Sequence, residues 1–389
     1  MPKAGAIIMR QALLRTSILA GLGSLAGVIG VGSAEASDGI KLEVGGFFSN
    51  AYVGVIDGKH SAHHWGEHRN YDALKHDAEV NFSGEATLDN GLTVEARLEL
   101  EGENSDDQID KSWIAVSGVF GVIRVGDQDD ALELQCPYVP GGTANFSAFS
   151  PTGWGANTPI SSNSYCFSAD NDSQKIAYIS PTYRGFQLAV SYTPSANAEN
   201  YTQQGVNNAG APSNPDGTAH HIVSTYVTYA FEGEEWSFNW GAGGSWQLAR
   251  NNAPQTGDGR SSAYQTSGSV TFGSWSVGGT FEYFNQGGRD NDMWTAGAGV
   301  AYYATDALGL GLQYSHGRYD GDFLGDGLGE SGAHNLNRVV VTATYNLAPG
   351  VDLDADIGYT WYRDTRSGTS DGLDDYQAAE IGIGSSLTF

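Results

Sequence analysis

Basic residues are scarce: 19 lysines and arginines stand against 45 aspartates and glutamates, a formal net charge of −26. So acidic a chain repels phosphates, which argues against nucleic acid or an anionic membrane surface as partner and favours cations. Long apolar runs are scarce too. Past residue 36 no stretch approaches the roughly 20 apolar residues that a spanning helix needs. Charged residues of both signs make up only 16% and aromatics reach 11%, which excludes a disordered chain. With 54 glycines, the composition is not that of an ordinary helical globule. Gly, Tyr, Thr and Ser are plentiful, and they point to extended structure.

The first 36 residues read as a secretory signal peptide. A basic start with Lys3, Arg10 and Arg15 precedes the apolar run from Ile18 to Gly32, and Ala34-Glu35-Ala36 supplies a small-x-small cleavage site. Counting from Met9 gives a more ordinary signal length. The expected mature domain is 37–389, beginning at Ser37 and exported. Taking Lys3, Arg10, Arg15 and Glu35 from the 19 basic and 45 acidic residues leaves 16 against 44, a formal −28.

The mature chain alternates. About sixteen segments place apolar or small residues at every second position, the period of a half-exposed strand. Examples are Phe186, Leu188, Val190, Tyr192; Trp236, Phe238, Trp240, Ala242; and Val351, Leu353, Ala355, Ile357, Tyr359, Trp361. A strand of about 11 residues tilted near 45° rises about 26 Å, which matches the apolar band of an outer-membrane barrel. Short connections such as Asp89-Asn90-Gly91, Gly273-Ser274 and Thr305-Asp306 take turns with long polar ones such as 127–172, 194–219 and 320–334. Seven short turns and eight long loops are what sixteen up-and-down strands require, with the turns at one rim and the loops at the other. The expected fold is an all-β, transmembrane, antiparallel up-and-down β-barrel with short periplasmic turns and long extracellular loops.

Three segments carry a family resemblance. The run from Lys175 to Phe186, with Tyr178-x-Ser180-Pro181-x-x-x-Gly185-Phe186, resembles the turn after the third loop of the Gram-negative general diffusion porins, and Phe120 to Gly126 resembles the strand leading into that loop. The last segment, with Ala379, Ile381, Ile383, Leu387 and the terminal Phe389 on one face, resembles the C-terminal signal of bacterial outer-membrane barrels. The resemblance implies an outer-membrane, homotrimeric, water-filled channel for passive diffusion of small hydrophilic solutes, with the third loop folded into the lumen. It also implies outer-membrane lipid and lipopolysaccharide as surroundings. A substrate-selective channel and a non-channel surface barrel are the alternatives.

With the third loop inside, Asp127, Asp129, Asp130 and Glu133 fall at the pore constriction, and the family sets such acids opposite basic wall residues. By strand phase the basic candidates are Arg97, Lys111, Arg124, Lys175 and Arg338. Arg97 sits among Glu95, Glu99 and Glu101, and Asp352, Asp354 and Asp356 share one face of a later strand, so the lumen is expected to be electronegative and cation-selective. Cys136 and Cys166, the only cysteines, both fall in the third loop, and an oxidising compartment favours a disulfide.

Other clusters read more weakly. His60, His63, His64, His68 and His76 crowd the first long loop at spacings that could ligate zinc or copper, though a solvated loop explains them as well. Asp320, Asp322, Asp326 and Glu330 among glycines suit Ca²⁺ at an external loop. Trp236, Trp275, Trp294, Tyr302, Tyr345 and Trp361 at strand ends read as interfacial girdles. Enzymatic chemistry and resident cofactors are not expected, because Ser and His abound without a strand-to-helix nucleophile elbow and without a phosphate-cradling loop before a helix.

Overall fold

A chain whose strands each carry one apolar and one polar face can satisfy its backbone in lipid only by pairing every strand and leaving no edge. The computed structural model describes residues 39–59, 71–102, 108–149, 166, 170, 172–196, 220–248, 260–285, 292–320, 333–364 and 376–389. It has that form. Its strands are β1 Lys41–Lys59, β2 Asp72–Thr87, β3 Thr93–Glu101, β4 Ile109–Gly118, β5 Gly121–Asp127, β6 Gln174–Ile179, β7 Phe186–Ser195 and β8 His220–Glu232. They continue as β9 Trp236–Gln247, β10 Ser262–Phe272, β11 Trp275–Asn285, β12 Met293–Tyr303, β13 Leu308–Asp320, β14 Ala333–Ala348, β15 Val351–Asp364 and β16 Tyr376–Thr388. Consecutive strands pair antiparallel, and β16 pairs with β1 to close the barrel.

The molecule is inside out relative to a water-soluble domain. Outward positions are apolar and exposed: Leu312 at 47%, Val341 at 53% and Ile357 at 64%. Inward positions one residue away are polar and covered: Gln313 at 1%, Thr342 at 4% and Asp356 at 4%. Aromatic side chains mark both ends of the outer band. Trp236, Trp275, Tyr302 and Tyr345 lie near the turns, where Trp275 packs on Tyr302 at 4.6 Å between ring centroids, while Trp294 and Trp361 lie toward the loops. The seam is closed at its end by Phe389, whose backbone exchanges two 3.1 Å hydrogen bonds with Gly46.

Several strands run further than the alternation indicates. β1 reaches Lys59, β2 begins at Asp72 and β14 at Ala333, inside segments that read as loops. Beyond the apolar band both faces of a strand meet water, so the backbone ladder continues after the period of two has faded from the sequence. His76 is a correction that follows: it lies on β2, stacked on Phe48 at 6.4 Å, and not in a loop.

Placing a charge on the outer band separates this architecture from a soluble one. Val341→Arg is expected to destabilise the barrel by about 2–4 kcal/mol in lipid vesicles, measured by reversible chemical denaturation. The inward Thr342→Ser should change stability far less, and equal effects at both positions would contradict the assigned faces.

Candidate functional site

Residues 128–149, which follow β5, run along the polar face of the barrel. Their course is fixed by hydrogen bonds from successive strands. Asp130 Oδ1 accepts from the backbone N–H groups of Leu132 (2.8 Å) and Glu133 (3.1 Å), and its Oδ2 accepts from Ser224 on β8 at 3.0 Å. That turn leads into a short 3₁₀ helix, Glu133–Gln135. Ala131 N–H donates to Ser191 on β7 at 3.0 Å. Further on, Gln313 of β13 donates to the carbonyls of Val139 (3.0 Å) and Pro140 (3.1 Å) and accepts from Ser147 and the Ala148 N–H. Asn145 donates to Asp354 on β15 at 2.9 Å.

Glycines make room for this segment on the wall. A Cβ at Gly299 would collide with the Pro140 carbonyl, one at Gly311 with the Gly141 carbonyl, and one at Gly297 with the Phe149 ring. Gly141 itself adopts φ +96°, a region other residues avoid. Phe146 lies against Gly382 and joins a buried apolar cluster with Ala51, Val53, Tyr319, Leu336 and Tyr362. Cys136 is disulfide-bonded to Cys166, as the composition of the loop suggested. On a chain-entropy model, closing about 30 residues stabilises the loop by about 3–4 kcal/mol.

The basic candidates all face inward, and four of them lie on successive strands, Arg97 on β3, Lys111 on β4, Arg124 on β5 and Lys175 on β6. Three of them sit in ion pairs with acids close by. Lys111 Nζ lies 3.0 Å from Asp129, 3.4 Å from Asp110, 3.7 Å from Glu99 and 3.8 Å from Asp172. Lys175 pairs with Asp170 at 3.2 Å in a fully buried contact and donates to the Gln128 carbonyl. Arg97 pairs with Glu99, and the Arg124 guanidinium sits 4.2 Å from the ring centre of Trp113. Of the four predicted constriction acids, Asp129 thus lies in contact with a basic candidate, Lys111, because the loop leaves β5 beside β4 and β6.

The acids divide by environment. Asp127 and Asp130 are buried; Ser112 donates to Asp127 at 3.1 Å, and Asp130 is occupied as a cap. Asp129 keeps 20% exposure and Glu133 is exposed. Glu95 is half-buried on the inner face of β3, flanked by the charges of Arg124 and Arg97. Burial, with Asp129, Asp110 and Glu133 adding to it, pushes the Asp172 carboxyl up to about 8 against the pull of Lys111. Burial also raises Asp170, to about 6, with Lys175 opposing. On the far wall Asp352, Asp354 and Asp356 face inward but are covered, as are Arg338, which donates to Thr360 at 3.1 Å, and Glu380.

Some participants were not legible in advance. A β-bulge opposite Glu99 and Leu100 leaves Asp110 unpaired in the ladder, so its carboxylate joins those of Glu79 and Glu99 within 4.8 Å. Asp170 and Asp172 were read as the end of a loop. Of the calcium candidates, Asp320 ends β13 in an ion pair with Arg318 at 2.9 Å, while Asp322, Asp326 and Glu330 lie outside the described residues, as do His60, His63, His64 and His68. The spacing Gly-x-Ser-x-Gly occurs once in the sequence, at Gly368-Thr369-Ser370-Asp371-Gly372, outside the described residues.

A closed sixteen-stranded barrel with a polar inner face, and residues 128–149 laid on that face, defines a porin-type outer-membrane protein. Residues 22–365 match the family model of the Gram-negative porins, and the chain belongs to that family, whose place is the outer membrane. Solved structures agree in fold. They include OmpT of Vibrio cholerae, an outer-membrane protein in trimer form (15% identity, 90% of this chain and 100% of that one, TM-score 0.58). An anion-selective porin from Comamonas acidovorans matches at 16% identity over 91% and 100%, TM-score 0.56. Salmonella typhi OmpF in complex with daunomycin matches at 13% over 90% and 98%, TM-score 0.57. No curated protein sequence matches the chain.

Two outcomes test this geometry. Gly299→Leu should lift the loop off the wall and make 127–172 susceptible to protease in micelles, whereas unchanged resistance would mean that Pro140 does not rest there. Because the Asp172 carboxyl ionises as pH rises through about 8, negative charge beside Lys111 grows between pH 6 and 9. Any cation preference should strengthen over that range, and a flat profile would place Asp172 away from the ion path.

Proposed function

We propose that the protein is a general diffusion channel of the outer membrane, passing small hydrophilic solutes and ions with a preference for cations, and that three copies assemble as in the solved trimer form of Vibrio cholerae OmpT. The observation that carries the reading is the inner wall: polar side chains cover it, and around Lys111 four carboxylates lie within 4 Å of one ammonium. A net negative lining concentrates cations and repels anions in a narrow aqueous space. The porin from Comamonas acidovorans is described as anion-selective. The fold therefore does not dictate a cation preference, and in this reading the charges on the wall set the sign.

The loop from β5 narrows the lumen in this reading, and its anchoring to β7, β8, β13 and β15 gives the opening a fixed shape. The function in this reading is transport without chemistry, with the charged groups of the wall acting on passing ions through their electrostatic field. Outer-membrane lipid covers the exposed apolar band.

Purified protein in a planar bilayer should conduct, with closures grouped in threes, and under a KCl gradient its reversal potential should have the cation sign. An anion-sign potential would refute the selectivity, and absence of conductance would refute the channel.

A further inference from the structure

The inner wall is not covered evenly. From β7 to β16 the inward side chains are almost all occluded, with the acids Glu282 at 6%, Asp356 at 4% and Glu380 at 4% exposure. Loop residues 131–149 lie on that arc, from Ser191 on β7 to Gly382 on β16. On β2 and β3 three inward acids remain open to water: Glu85 is exposed, and Glu79 and Glu95 are only half-buried, while Glu99 is covered. Among the described residues, these acids of β2 and β3 are thus more open to water than those of β11, β15 and β16.

The β2–β3 wall carries an arrangement that stability alone does not favour. Glu85 lies directly opposite Glu95 across β2 and β3, and Glu79 lies opposite Glu101. Like charges facing each other across a sheet weaken it. Further along the same strands Glu79 approaches Glu99 and Asp110. The two groups lie at different heights, Glu85 and Glu95 near the short turn after β2 and Glu79 toward the loop rim. Carboxylates thus extend along the pore direction on a part of the wall where, among the described residues, inward acids keep contact with water.

Resting on the channel reading above, we infer that small cations, including amines, cross the pore along the β2–β3 wall, and that Glu79, Glu85 and Glu95 set the ion preference. The acids of β15 and β16 contribute little, since they are covered. Each open carboxylate acts on a passing ion through water over about 8 Å, an effect of about twofold in the cation-to-anion permeability ratio.

The experiment is the reversal potential under a KCl gradient for the full-length channel and three variants. Glu79→Gln/Glu85→Gln/Glu95→Gln should lower the cation-to-anion ratio severalfold, and Glu85→Gln alone, at an exposed position that folding tolerates, should lower it about twofold. Asp356→Asn should leave it unchanged. If the channel conducts and prefers cations but the Glu85 and triple variants match the parent, or if Asp356→Asn has the larger effect, the inference is overturned while the porin reading stands. If the parent itself does not conduct, the porin reading fails first. Migration of unheated protein on gels reports whether each variant is folded.

Discussion

Every feature of this molecule depends on the fact that lipid offers no partner to a peptide group. A strand crossing a bilayer must give all its N–H and C=O groups to neighbouring strands, and a sheet with an edge leaves some unpaired. The pairing of β1 with β16 is therefore the contact without which the other fifteen strand pairs could not persist in a membrane. Closure in turn fixes the side-chain pattern, since alternate residues must then meet either lipid or the lumen.

Closure also creates an interior that is wider than its wall residues can fill, and the connection from β5 occupies part of it. The wall is adapted to that segment by omission as much as by contact: Gly297, Gly299 and Gly311 lack the side chains that would hold it away. Gln313 then binds both limbs of the loop, through Val139 and Pro140 on one side and Ala148 on the other. In the proposed channel, a segment anchored in this way turns a wide cylinder into a shaped passage, and the charges it leaves uncovered are those that ions would meet.

The barrel was legible because its rule is short. A period of two and the alternation of short and long connections give strand number and direction from residues such as Trp236, Phe238 and Trp240 without any knowledge of partners. Strand phase likewise put Arg97, Lys111, Arg124, Lys175 and Arg338 on the inner face. Pairing among those charges was not legible, because it depends on where a loop without a period lies. Asp130 looks like its neighbour Asp129 in sequence, yet one caps a turn and the other meets Lys111. Asp110 escaped because a bulge shifts register by one residue, and nothing local to Ile109-Asp110-Lys111 announces it.

The central claim is the assignment of faces, and tryptophan reports it directly. Trp240 points outward at 38% exposure, while Trp113 is buried inward beneath Arg124. In single-tryptophan variants reconstituted in brominated lipid, Trp240 should be strongly quenched and Trp113 should not. Quenching of Trp113 by lipid, with Trp240 left bright, would contradict the account.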